Sequence, residues 1–260
     1  MSYYMEDNLT MPLHMILQIM QDRMMNQSTY FGVKTLKSPN DFWIYQEIIW
    51  ETKPDIIVEI GNFHGGSTLA LAHLCDCLGK GRVIGVDLSN DAIPKFIRNH
   101  PRITLIEGDA CESFPKVANL ISKEERVIVI EDSSHTYDDT LNVLYLYSTL
   151  IKPGDYFIVE DSIVGHGLLF EHESGPFEAV EMFIKENPDF EIDRTKESFL
   201  ITWNPKGYLR RKGNSNKALR ANNRLARHPS RQAHWVAVKK FMELFIPPIV
   251  DRVIRKLKGA

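Results

Sequence analysis

VEIGNFHGG, residues 58–66, ends an apolar run in a carboxylate and then sets three glycines within six residues. A tight turn between a strand and a helix would use such residues, and so would a backbone that passes close to a ligand. The flanking residues identify the elements. DIIVEI (55–60) is short, β-branched and apolar without alternation, as in a strand buried on both faces. GGSTLALAHLCDCLG (65–79) has helical spacing, and Gly79 is placed to close the helix.

The alternation continues downstream. GRVIGVDL (81–88), RITLIEGDA (102–110), RVIVIEDS (126–133) and DYFIVEDS (155–162) read as further strands, with helices over 91–100, 112–123 and 137–151 between them. Strand and helix taking turns with short connections predict an α/β chain with a Rossmann-like, doubly wound, mostly parallel sheet. Upstream, a Met-rich helix is expected over 12–26. Another is expected over 40–52, capped by Asn40 or Asp41 and stopped at Lys53-Pro54. After Asp161 the chain reads as a loop over the sheet top, then a helix from Pro176. DFEIDRT and FLITWNP follow as an antiparallel pair at the sheet edge. The expected division is a helical segment at 1–54, the α/β domain at 55–211 and a basic extension at 212–260.

In open α/β sheets ligands bind beyond the carboxyl ends of the strands. Gly61 permits close backbone approach there, and the following helix start offers unpaired N–H groups. Asp87, which ends the second strand, can accept from both hydroxyls of a ribose. Asp109, after the third strand, sits where an adenine contact is expected. Glu59-x-Gly61-x-x-x-Gly65 differs from G-x-G-x-x-G and matches the first motif of S-adenosylmethionine-dependent methyltransferases. The glycines would also serve an ordinary turn, and Asp87 could instead cap the helix that follows it.

The fourth and fifth strand ends carry a second group. Asp132, Glu160 and Asp161 would converge over neighbouring strands without an evident basic partner, and three carboxylates together repel one another unless a cation neutralises them. Hard oxygen ligands without cysteine suit Mg²⁺, with Ca²⁺ or Mn²⁺ as alternatives. His135, three residues after Asp132, is a candidate general base. Alternation along the strand points Glu131 away from Asp132. His166 and His172 are weaker candidates to line a substrate pocket.

The chain has 260 residues and a net charge of −3 that hides a split: residues 206–260 hold 15 Lys and Arg against 2 Asp and Glu. Such a tail reads as a solvated extension, as a surface for an anionic membrane or acidic partner, or as a stripe packing on the domain or a second subunit. No reading helix or aromatic platform accompanies the charge, which argues against nucleic acid. Three cysteines form no even framework, and MSYYMEDNLT lacks the basic start of a signal peptide. A cytoplasmic setting, with peripheral membrane contact through the tail, is the expectation.

TYFGVKTLKSPNDFWIYQEII, PDIIVEIGNFHGGSTLALA, VIGVDL, IEGDA, VIVIEDSSHTYDDTL, GDYFIVEDS, GPFEAVEMFI and FLITWNPKGYLRR together resemble the cephalosporin hydroxylase-like group of class I methyltransferases, which includes rhamnosyl O-methyltransferases. The resemblance spans residues 29–211. It implies S-adenosylmethionine bound through Glu59, Gly61, His64, Ser67, Asp87, Asp109 and Asp132. It further implies Mg²⁺ on Asp132, Glu160 and Asp161, with His135 at the position of the catalytic base. His64 either touches the methionine carboxylate or caps the helix. The implied acceptor is a small molecule or glycan bearing a sugar hydroxyl, and the implied assembly is a homo-oligomer. Two other readings compete. A nicotinamide oxidoreductase lacks its glycine fingerprint here. A catalytically silent domain that binds the cofactor and is tethered by its tail would have no reason to keep three carboxylates.

Overall fold

β3 (Ile56–Ile60) is buried at every residue and is an inner strand, third from one edge of a seven-stranded sheet. In the computed structural model, which describes residues 4–168 and 174–213, the sheet order is β5-β4-β3-β6-β7-β9-β8. The strands are β4 (Arg82–Asp87), β5 (Ile103–Glu107), β6 (Val127–Glu131), β7 (Tyr156–Val159), β8 (Phe190–Ile192) and β9 (Tyr208–Arg211). β3 through β7 run parallel, while β9 inserts antiparallel between β7 and β8. The doubly wound, mostly parallel sheet expected from the sequence is therefore present. Its strand order reverses at β3, whose Ile60 is paired with Val86 of β4 on one side and Glu131 of β6 on the other.

Alternate residues of the strands feed two cores. Ile56, Val58, Ile60, Val127 and Val129 pack with α5 (Ala110–Asn119), α6 (Tyr137–Tyr147) and α7 (Pro176–Glu186). Ile57, Val83, Ile128 and Ile158 pack with α2 (Pro39–Thr52) and α3 (Gly66–Leu78). Both faces are covered, which is why these strands carry continuous apolar runs. α1 (Leu13–Gln27) precedes a two-stranded hairpin of β1 (Thr29–Tyr30) and β2 (Val33–Lys34).

Three local expectations are corrected. α2 is capped by Ser38, which accepts from Asp41 N–H; Asp41 is instead buried inside the domain. There it accepts from Trp203 N–H at 2.8 Å, from Tyr208 Oη at 2.7 Å and from the Thr202 hydroxyl. This tie holds residues 199–205 across α2, so FLITWNP forms no strand, and β9 comes from the residues after it. The helix expected over 91–100 is the four-residue α4 (Lys95–Arg98), because Pro94 cannot extend it backwards. Among the described residues no helix is long and apolar enough to cross a membrane, and the three cysteines are free. His172 and the charged tail from 214 onward lie outside the described residues.

Candidate active site

The crevice at the strand-order reversal is bounded by the ends of β3 and β6. Gly61 N–H donates to Val86 O at 2.9 Å, and Asp132 N–H donates to Ile60 O at 2.8 Å, so the two chains leave the sheet side by side. A Cβ on Gly61 would stand 2.0 Å from Asp132 O, and Gly61 has φ +92°. Its absent side chain is thus demanded first by another stretch of backbone. Gly66 is required similarly, since a Cβ there would meet Thr35 Oγ1 at 1.9 Å, where the β1–β2 hairpin packs on the start of α3.

The glycine loop divides its expected cofactor residues between two sides. Asp87 Oδ2 accepts from Phe63 N–H at 2.8 Å, tying the loop to the end of β4 and leaving a half-buried carboxylate at the crevice. Glu59 lies on the inner side of the loop. It is fully buried, accepts from Thr68 Oγ1 at 2.5 Å, and its Oε1 has no hydrogen-bond partner among the described residues. Burial pushes its carboxyl up, with Lys37, Ser67 and Thr68 opposing. Strand alternation turns Glu59 beneath the first turn of α3, where the Thr68 hydroxyl donates to it and Lys37 and Asp132 of the cleft are near enough to act on its charge. His64 lines a cavity of about 270 Å³ with Phe31, Lys34, Ala92, Pro94 and Phe96. It does not cap α3, whose N-cap is Gly65 without a side-chain bond. Asp109 caps α5, its Oδ1 accepting from Cys111 N–H at 2.9 Å and Glu112 N–H at 3.0 Å.

The acids after β6 and β7 do converge. Asp132 Oδ1 and Asp161 Oδ2 lie 3.7 Å and 3.5 Å from His135 Nε2, and one ligand atom from each of the three residues falls within 4.8 Å of the others. Short-range contacts set this geometry. Ser134 Oγ donates to Asp139 Oδ2 at 2.7 Å and Thr136 caps α6, which fixes the loop that carries His135. Asn204 Oδ1 accepts Asp161 N–H at 3.2 Å. His135 (φ +55°) and Asp161 (φ +54°) are both non-glycine residues in the left-handed region, as is Phe63 (φ +48°) in the glycine loop. Such strain persists only where surrounding contacts enforce it, and it gathers at functional sites. Burial pushes Asp161 up to about 6, with His135 opposing and Asp132 adding.

The third acid is arranged differently. Lys37, from the segment between β2 and α2, places its Nζ 2.6 Å from Asp132 Oδ2 and against Glu160 Oε1. The expectation of acids without a basic partner is therefore overturned. The three groups whose ligand atoms meet are Asp132, His135 and Asp161, while Glu160 is bound on one oxygen by the lysine. Burial alone would lower the Lys37 pKa, but Asp132, Glu160 and Glu59 more than offset it and keep the ammonium protonated. Glu160 is pushed well up by burial and by Asp132. Lys37 is 95 residues from Asp132 and 123 from Glu160, and no local signal in VKTLKSPND marks it. Glu131 faces the other core as alternation required; burial pushes it up to about 8, although the Ser133 hydroxyl donates to it at 2.6 Å. His166 is engaged by Glu178 Oε1 at 2.7 Å and stacks on Phe177.

Comparison with known proteins gives the family of the chain. The family model described as Rhamnosyl O-methyltransferase/CmcI matches residues 22–212. The chain is 35% identical to the rhamnosyl O-methyltransferase of Mycobacterium leprae (strain TN) over 196 residues, 72% of this chain and 84% of that protein. It is 34% identical to the Mycobacterium tuberculosis (strain H37Rv) rhamnosyl O-methyltransferase over 192 residues, 70% of this chain and 78% of that one. Among solved structures, an apo form of CmcI is 27% identical with a TM-score of 0.57, covering 72% of this chain and 77% of CmcI. A CmcI structure described as Mg-SAM is 25% identical with a TM-score of 0.53, covering 71% and 76%. With a match across nearly all of the described α/β domain, the chain belongs to the rhamnosyl O-methyltransferase/CmcI family and is an S-adenosylmethionine-dependent O-methyltransferase.

Proposed function

We propose that the enzyme methylates a hydroxyl of a sugar or glycosylated acceptor with the help of a divalent cation, Mg²⁺ by the chemistry of its ligands. The observation that carries this reading is the meeting of Asp132, His135 and Asp161 within 4.8 Å beside the glycine loop. The donor set is rich in oxygen and free of sulfur, which fits Mg²⁺. The names of the mycobacterial relatives support a sugar acceptor, and the Mg-SAM structure of CmcI supports the metal.

Asp132 and Asp161 would hold the cation with Glu160 alongside, its Oε1 engaged by Lys37. Once bound, the cation would lower the pKa of a hydroxyl presented to it. Methyl transfer is an in-line displacement, so the protein must hold donor methyl and acceptor oxygen about 3–3.5 Å apart. Asp87 would anchor the ribose of the donor, while the loop pinned by Phe63 N–H shapes its methionine end. His135 Nε2, left off the cation, would take the acceptor proton beside the two aspartates that hold it.

Incubation with labelled S-adenosylmethionine and a panel of rhamnosylated and other glycosylated acceptors, followed by mass spectrometry, tests the whole reading. Label should enter a sugar; chelator should stop the transfer and Mg²⁺ restore it. Full turnover in chelator removes the metal from the reaction, and label appearing only on non-sugar hydroxyls removes the sugar acceptor. The donor site has a separate check. Asp87→Ala should weaken S-adenosylmethionine binding by about 1–3 kcal/mol, the order for losing hydrogen bonds to a charged partner. Equal affinity by calorimetry would remove Asp87 from the site.

A further inference from the structure

Lys37 is a cation that the cleft carries already. Its side chain is 6% exposed, and its ammonium lies between two carboxylates that belong to different strand ends. It divides the oxygens of Asp132: Oδ2 goes to the lysine, while Oδ1 faces His135 Nε2. Glu160 likewise gives Oε1 to the lysine. Three carboxylates, Asp132, Glu160 and Asp161, share this cleft, and nothing in β6 or β7 supplies a positive charge to offset them. The offsetting charge is imported from the N-terminal segment. Lys37 is held at its root by Ser38, which caps α2, so its reach to the cleft follows from where that helix begins.

We propose that Lys37 is a positioning residue, an intrinsic counter-cation that holds Asp132 and Glu160 together and sets how tightly the cleft takes a divalent ion. The proposal rests on the reading of the cleft as a divalent-cation site. Like charges in a partly buried site repel strongly, so a fixed ammonium touching one of the ligands weakens any second cation beside it. Removing the ammonium alone leaves carboxylates buried without compensation, a strongly destabilising arrangement until a metal enters. Lys37 would thus make a ready, pre-shaped cleft that binds its metal reversibly, in place of one that needs the metal in order to fold.

The test uses the full chain, Mn²⁺ as the probe, calorimetric titration for affinity and thermal unfolding with and without the ion. Lys37→Met should unfold at a lower temperature without metal, bind Mn²⁺ at least about tenfold more tightly than the wild type, and gain more in melting temperature from it. Lys37→Arg, which keeps the charge, should stay within about threefold of the wild-type affinity. The double variant Lys37→Met, Glu160→Gln removes the ammonium and one of its two carboxylate partners, leaving only Asp132 uncompensated, and should recover part of the lost metal-free stability. Mn²⁺ affinity in Lys37→Met equal to or weaker than wild type overturns the proposal, as does a double variant no more stable than the single one. If Lys37→Met does not fold but the double variant does, the counter-cation role is upheld; if neither folds, it is overturned. Absence of Mn²⁺ binding to the wild type is a different failure, that of the metal reading itself.

Discussion

His135→Ala is expected to lower kcat by about 10²–10⁴-fold, the usual contribution of a positioned general base. The imidazole Nε2 lies 3.7 Å from Asp132 Oδ1 and 3.5 Å from Asp161 Oδ2, and its backbone is held in the left-handed region by a loop tied down through Ser134 and Thr136. Its ligand atom also completes the metal-competent trio, so two roles share one position. They separate by measurement. A base lost from the site leaves the affinities for Mn²⁺ and for S-adenosylmethionine near wild type while kcat falls; a lost metal ligand weakens Mn²⁺ binding and kcat together. Should kcat stay within a few-fold of wild type, the proton leaves by another route and His135 is structural.

Gly61→Ala should cost about 3–5 kcal/mol of stability, combining backbone strain at positive φ with overpacking against atoms that cannot move aside. The new methyl would stand 2.0 Å from Asp132 O and 2.7 Å from Asp132 C, both in the backbone at the sheet's central crossover. Relief would require β3 and β6 to separate, and with them the crevice that Asp87 and Asp132 border. Gly79→Ala is the control. Gly79 has φ +70° but nothing within 4 Å of a Cβ, so it should lose only about 1 kcal/mol. Urea unfolding of the two variants would show the contrast, and equal losses would mean that the approach of Gly61 to Asp132 is slack.

Much of the crevice was legible because its signals are local. Burial on both faces makes β3, β4 and β6 continuous apolar runs, and each run announces where its strand ends. The rule that ligands gather at those ends then selects Gly61, Asp87, Asp132, Glu160 and Asp161 with no knowledge of the packing. Glu59 entered through the methyltransferase motif, which does not fix where its side chain lies. Strand alternation turns it beneath α3, where the Thr68 hydroxyl donates to it. Asp109 likewise has a local use as the cap of α5.

By itself the sequence determined the alternation of elements, the parallel sheet, the turn glycine and the set of acids at the strand ends. Each of these depends on residues within a few positions of one another. Tertiary structure alone decided which cation those acids meet and which segment completes the sheet. Lys37 reaches Asp132 and Glu160 from about a hundred residues away, and Asp41 fastens residues 202–208 so that β9, not FLITWNP, pairs with β7. Both outcomes turn on buried charges finding partners. Burying an unpaired charge costs several kcal/mol, so the fold must supply a partner from somewhere, and that demand carries no period or spacing by which the supplier could be recognised in the chain.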